Sequence, residues 1–223
     1  MCGMEKDKFR DLLRRSRPLH LITGGMLYVL GVGIAHYLGQ PVQPCRSFLG
    51  FSWILSLQLG VYYLGEYLQT PGELGLLNRK PFVDDTTEKL GREDNEIALF
   101  TSVIFLALTA ALTVLIALSG NFNAATAVLM GFLFLGFFAM IVPGLHLAQT
   151  SYGELMTTFL LILLTPALGL FLQTGELHRL LAISTFPLST LHLAMLIAIQ
   201  LPEYGVDVAR NRDTFLTRLG WRQ

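Results

Sequence analysis

Six stretches of this chain are apolar over about the length of a bilayer crossing: 19–38, 48–68, 97–118, 124–145, 155–172 and 180–200. A transmembrane helix needs about 20 largely apolar residues, and inside hydrocarbon only a helix or a closed barrel satisfies its own backbone. A soluble helical bundle would show a polar face on each helix, and "AVLMGFLFLGFFAMIV" (127–142) has none. Only 14% of the residues are charged, against about a quarter in soluble domains. The expectation is an all-α, polytopic transmembrane bundle of six spans, forming one domain over 1–223.

Net charge is zero, yet the cations are unevenly placed. Lys6, Lys8, Arg10, Arg14, Arg15 and Arg17 lie in the N-terminal segment 1–18. Arg79, Lys80, Lys89 and Arg92 lie in the connection 69–96, and Arg210, Arg212, Arg218 and Arg222 in the tail 202–223. Six spans put all of these on one side and leave Arg46 and Arg179 for the other. The positive-inside rule makes the cation-rich side cytoplasmic, so both termini are expected in the cytoplasm and the protein in the inner (plasma) membrane. The first span is too long, and lacks a small-residue cleavage site, to be a removable signal. Cys2 and Cys45 would face opposite sides, which excludes a disulfide between them.

Four of the five connections are short. The fifth, 69–96, is long enough to suggest a functional loop, with Pro71-Gly72 ending the second span and Pro81 fixing a bend. Spans two and six both exit into acidic clusters on the cytoplasmic side. This weak internal echo suggests one four-helix unit followed by half of a second, with a site between the two.

The candidate chemistry lies at those two exits. In "QLGVYYLGEYLQTPGE" (58–73), Glu66, Gln69 and Glu73 are spaced i, i+3, i+7, which is one face if the helix continues. After span six, Glu203 and Asp207 are spaced i, i+4. Carboxylate oxygens at a membrane surface suit Mg²⁺, which keeps waters and is completed by substrate phosphates. Arg79, Lys80, Arg210 and Arg212 could neutralise such phosphates. The alternative is that these charges are simply a solvated membrane border. His192 reads either as a base inside the bundle or as a group bonding across helices. Tyr62, Tyr63 and Tyr67 read either as cation-stabilising rings or as an interface belt. His20, His36 and His146 lack metal-ligand spacing. No P-loop, dinucleotide fingerprint or nucleophile elbow is present, and no nucleic-acid partner is expected.

Five segments in order resemble the UbiA-type intramembrane prenyltransferases, closest to the branch that prenylates 1,4-dihydroxy-2-naphthoate on the way to menaquinone. They are "SRPLHLITGGMLYVLGVGIA" (16–35), "QLGVYYLGEYLQTPGE" (58–73), "NRKPF" (78–82), "LLTPALGLFLQTGEL" (163–177) and "PEYGVDVARNRDTFLTRLG" (202–220). The second falls on the family's first motif, N-D-x-x-D-x-x-x-D, which places Gly65 on the asparagine and Glu66, Gln69 and Glu73 on the aspartates. The fifth falls on D-x-x-x-D-x-x-x-G-K-x-T-L-x-x-R-L-G. There Glu203 and Asp207 match the aspartates, Asn211 the glycine and Arg212 the lysine; Thr214, Arg218, Leu219 and Gly220 match the tail. Asp207 alone keeps the family's aspartate.

The resemblance implies that these residues hold Mg²⁺ on a polyprenyl diphosphate and that an aromatic acceptor attacks the allylic cation within the bundle. Metal and cations would stabilise the departing diphosphate, and apolar walls would keep water from the cation. Six spans against the family's usual nine imply a cavity open on one flank, from which no measurable transfer is expected. The alternative is a non-catalytic relative that binds isoprenoid or a membrane partner. A small transporter is disfavoured by the polar-poor spans.

Overall fold

The computed structural model describes residues 18–68, 92–119, 122–142 and 152–201. Among these residues every regular element is a helix and there is no strand. Six helices follow the apolar stretches: α1 (Pro18–Tyr37), α2 (Pro44–Leu68), α3 (Arg92–Leu118), α4 (Ala124–Ala139), α5 (Gly153–Thr174) and α6 (Arg179–Gln200). α3 begins at Arg92, inside the expected connection 69–96.

Four helices are long and apolar enough to cross a membrane: α2, Glu96–Leu118 of α3, α5, and Arg179–Ile199 of α6. The apolar parts of α1 and α4, Leu21–Tyr37 and Ala124–Ala139, are shorter. The expectation of six spans is therefore met in the number of helices and only in part in their length. α4 stops short of the expected 145, and Met140 and Ile141 already form a turn. Pro143 lies just beyond, and a proline pushes the residue before it out of the helical region. At 16 residues, α4 is about 24 Å long, against a hydrocarbon core of about 30 Å.

Local chemistry sets the helix ends. Prolines open α1 and α2, where a missing N–H costs nothing. Asn123 caps α4, its Oδ1 accepting from the Thr126 N–H and hydroxyl, both at 2.8 Å. Gly175, in the left-handed conformation at φ 74°, closes α5. Three residues on, the His178 ring caps α6 by accepting from the Leu180 N–H at 3.2 Å.

α5 is the centre of the bundle and packs against α1, α2, α4 and α6. In its span 67% of residues are buried, against 22% in α3 and 11% in α6. One core joins Tyr28 of α1, Trp53 and Leu57 of α2, Ile116 of α3, Leu133 of α4 and Leu160, Leu161 and Leu168 of α5. α1 and α5 cross backbone to backbone: a Cβ on Gly31 would strike the Pro166 carbonyl, and one on Gly169 the Tyr28 carbonyl. Small residues permit this approach, which dispersion rewards in lipid. α3 lies antiparallel along α2. The Ser102 hydroxyl donates to the Gly60 carbonyl at 2.9 Å, and Trp53 Nε1 donates to Thr113 Oγ1 at 2.8 Å.

α5 is not uniform. Phe159–Leu164 forms a π-turn between two α-helical halves. Pro166 has no N–H for the carbonyl four residues back, and its ring would crowd that carbonyl in an α-helix. The wider turn relieves this, with the Thr165 N–H and hydroxyl (2.9 Å) both reaching the Leu160 carbonyl. The half before the π-turn packs on α6, and the half after it packs on α1 and α2.

Candidate functional site

Of the residues expected to hold Mg²⁺ or diphosphate, Glu66 lies within the described region. Gln69, Glu73, Arg79, Lys80, Glu203, Asp207, Arg210 and Arg212 lie outside the described residues. Glu66 sits in the last turn of α2, half-buried, next to buried Gly65. One turn inward, buried Tyr63 stacks on Phe105 of α3, centroids 6.4 Å apart and planes 6° from parallel. Tyr67 is exposed.

The helix directions follow from the contacts. At the end opposite Glu66, the Gln43 N–H donates to Gln173 Oε1 (3.0 Å), Gln173 Nε2 donates to Ser47 Oγ (3.2 Å), and Arg46 Nη1 donates to the Leu172 carbonyl (3.3 Å). The start of α2 therefore meets the end of α5. α6 returns antiparallel along α5, with Thr158 meeting His192. The C-termini of α2 and α6 thus share one end of the bundle, together with the start of α5. They are not an intimately packed pair, because α5 packs against both.

Among the described residues no three His, Cys, Asp or Glu come together as a metal site. The hard oxygens of Glu66 suit Mg²⁺. As the one described member of the expected ligand set, it does not make a metal centre by itself.

Three side chains matter that the sequence did not single out for the site. Glu154, in the first turn of α5, is buried at 9% exposure and lies at the Glu66 end. Its sequence signal was a carboxylate at a helix start, where the helix dipole favours it. Arg46, expected at the cation-poor surface, is buried at 8% and works as a clamp on the α5 terminus. Gln58, in the middle of α2, is fully buried against Gly24 of α1, and neither amide atom has a hydrogen-bond partner among the described residues. His192 bonds across helices, its Nδ1 3.0 Å from Thr158 Oγ1.

Among the described residues these features define an all-helical bundle of multi-pass membrane character, with Glu66 and Glu154 at the same end. No family model, curated protein or solved structure matches the chain.

Proposed function

We propose that this chain is a UbiA-like intramembrane prenyltransferase. In this reading it takes a polyprenyl diphosphate at the Glu66 end and passes the prenyl group to an aromatic quinone precursor such as 1,4-dihydroxy-2-naphthoate. The observation that carries the reading is the setting of Glu66. A carboxylate in the last turn of a membrane-crossing helix is a functional candidate by default, and this one is half-buried, at the end shared with the exit of α6.

Glu66, Gln69, Glu73, Glu203 and Asp207 are the oxygen donors proposed for Mg²⁺. When bound, the ion would supply positive charge to the diphosphate oxygens. Arg79, Lys80, Arg210 and Arg212 bind and orient the diphosphate by charge-assisted hydrogen bonds. The apolar helices receive the isoprenoid tail and exclude water from the reacting carbon. The Glu66 end is assigned to the cytoplasm of the inner membrane, by the charge asymmetry of the sequence.

The test is retention of labelled polyprenyl diphosphate by purified protein in nanodiscs, with and without Mg²⁺. Glu66→Gln and Asp207→Asn should each lower Mg²⁺-dependent retention at least tenfold, and Gln69→Asp should strengthen it. Unchanged retention in all three variants overturns the reading. A second reading, a non-catalytic isoprenoid-binding relative, is favoured by the uncharged Gln69 within the acidic face. Retention that needs no Mg²⁺ and is unchanged in these variants would select it.

A further inference from the structure

A glycine opens a groove on the outer side of the α1–α2 contact. At Gly25 a Cβ would come within 3.0 Å of the Phe51 ring, so the missing side chain leaves a hollow there. Tyr28 meets the Phe51 ring edge-on, with centroids 6.1 Å apart and planes at 61°, which fixes that wall. The groove has a volume of about 440 Å³, and every residue lining it is apolar. Ile22, Met26 and Val29 of α1 border it on one side, and Phe51 and Leu55 of α2 on the other. It opens to the bilayer, for Ile22, Met26 and Val29 are all more than half exposed.

Its depth narrows what can fill it. The apolar part of α1 begins at Leu21, and the groove ends at Val29, eight residues on. That is about 12 Å along the helix, against about 15 Å for half of the hydrocarbon core. The groove therefore lies within one leaflet. A second membrane-crossing helix would need a face running through both leaflets, and a long polyprenyl chain would outrun the groove. An acyl chain from the leaflet at the α1 N-terminus matches it.

Charge selects the headgroup. Arg14, Arg15 and Arg17 occur in the four residues before Pro18, with no carboxylate among them. They lie outside the described residues, yet the chain itself ties Arg17 to Pro18 by one Cα step of about 3.8 Å. Lys6, Lys8 and Arg10 extend the basic run, against Glu5, Asp7 and Asp11. Glu66 and Glu154 share that end of the bundle but belong to α2 and α5, whereas the arginines adjoin α1, which forms most of the groove. Basic clusters beside a membrane-crossing helix attract anionic lipid, and arginine holds phosphate through paired hydrogen bonds.

We propose that the α1–α2 groove seats one acyl chain of an anionic phospholipid from the leaflet at the α1 N-terminus, with Arg14, Arg15 and Arg17 holding its phosphate. This site does not rest on the transferase reading.

The probes are phosphatidylglycerol and phosphatidylcholine, each with a photoreactive diazirine midway along one acyl chain. Each is added to the full chain in nanodiscs of mixed phosphatidylglycerol and phosphatidylcholine, and adducts are mapped by peptide mass spectrometry. At Met26 and Val29 the glycerol lipid should label about tenfold more than the choline lipid, the order of one or two cations acting near a headgroup. At Phe132 and Leu135 of α4, which are also exposed, the two should label alike. The combined Arg14→Gln, Arg15→Gln and Arg17→Gln variant should bring the groove ratio near one and leave choline-lipid labelling unchanged. Added salt should lower the ratio in the wild-type chain. Val29→Trp, at an exposed position, should reduce groove labelling by both probes and spare α4. If the arginine variant does not insert, the salt series and Val29→Trp decide. Equal labelling by the two lipids at the groove, or a preference that survives loss of the arginines, overturns the proposal. So does groove labelling that unlabelled polyprenyl diphosphate suppresses and unlabelled phosphatidylglycerol does not, which would give the groove to a prenyl chain. Protection from both probes, with Met26→Cys cross-linking one copy to another, would give it to a second copy and overturn the proposal as well.

Discussion

A single buried amide tests how this bundle handles polarity. Gln58 lies in the middle of α2 with no exposed surface, and its amide makes no hydrogen bond among the described residues. A buried amide left unpaired costs about 1–3 kcal/mol, so Gln58→Leu, similar in volume and apolar, should stabilise the bundle by that order. The measurement is thermal unfolding in detergent, and a raised midpoint is expected. A lowered midpoint would mean that the amide is partnered in solution. Neither this residue nor the Thr158–His192 bond was legible from sequence. A polar residue inside an apolar stretch looks the same whether it faces a neighbour, a cavity or lipid. His192 was at least recognisable as an ionisable group in a span, and bonding across helices was one of the two outcomes foreseen. Glu154 was hidden differently, because a carboxylate in a short connection reads as solvated until packing buries it.

At the level of helices, bilayer physics made most of the architecture readable. Five of the six apolar stretches end within a few residues of the helices that form, because both are set by the same requirement for an unbroken apolar, self-bonded segment. The exception is α4, which ends before a proline that the apolar run concealed. The interruption of α5 was also invisible, since Pro166 inside an apolar run does not say whether the helix kinks, ends or widens. α6 is the outlier in packing, with 11% of its span buried. Phe186 is 72% exposed on it, whereas Leu168 of α5 is fully buried. Spin labels at Phe186→Cys and Leu168→Cys, in a chain without its native cysteines, should therefore differ sharply in accessibility to dissolved oxygen, with 186 high and 168 low. Equal protection at both sites would show that another helix covers α6 in the membrane.

For the whole molecule, the uneven distribution of cations predicts an orientation that a native residue can report. Cys45 is exposed and adjoins the Arg46 clamp, at the end opposite Glu66. In a Cys2→Ser background, a membrane-impermeant maleimide applied to intact cells should label Cys45. Asp85→Cys, in the cation-rich connection, should label only after permeabilisation. The opposite pattern would reverse the orientation. The shared end of α2 and α6 follows from alternation along the chain and was legible from the sequence. The central place of α5 was not, because it depends on which helices pack. The π-turn in α5 has a consequence for that centrality. Phe159–Leu164 acts like one residue too many in an α-helical count, which turns everything downstream by roughly a quarter of a revolution relative to a continuous wheel. A straight helix keeps its stripes in line from end to end. This one changes phase midway, so Glu154 and Thr158 belong to one angular frame and Leu168 and Gly169 to another. One rod can thereby offer one bearing to α6 and a different one to α1 and α2, and a helical wheel drawn through all of α5 would put half of its residues on the wrong side.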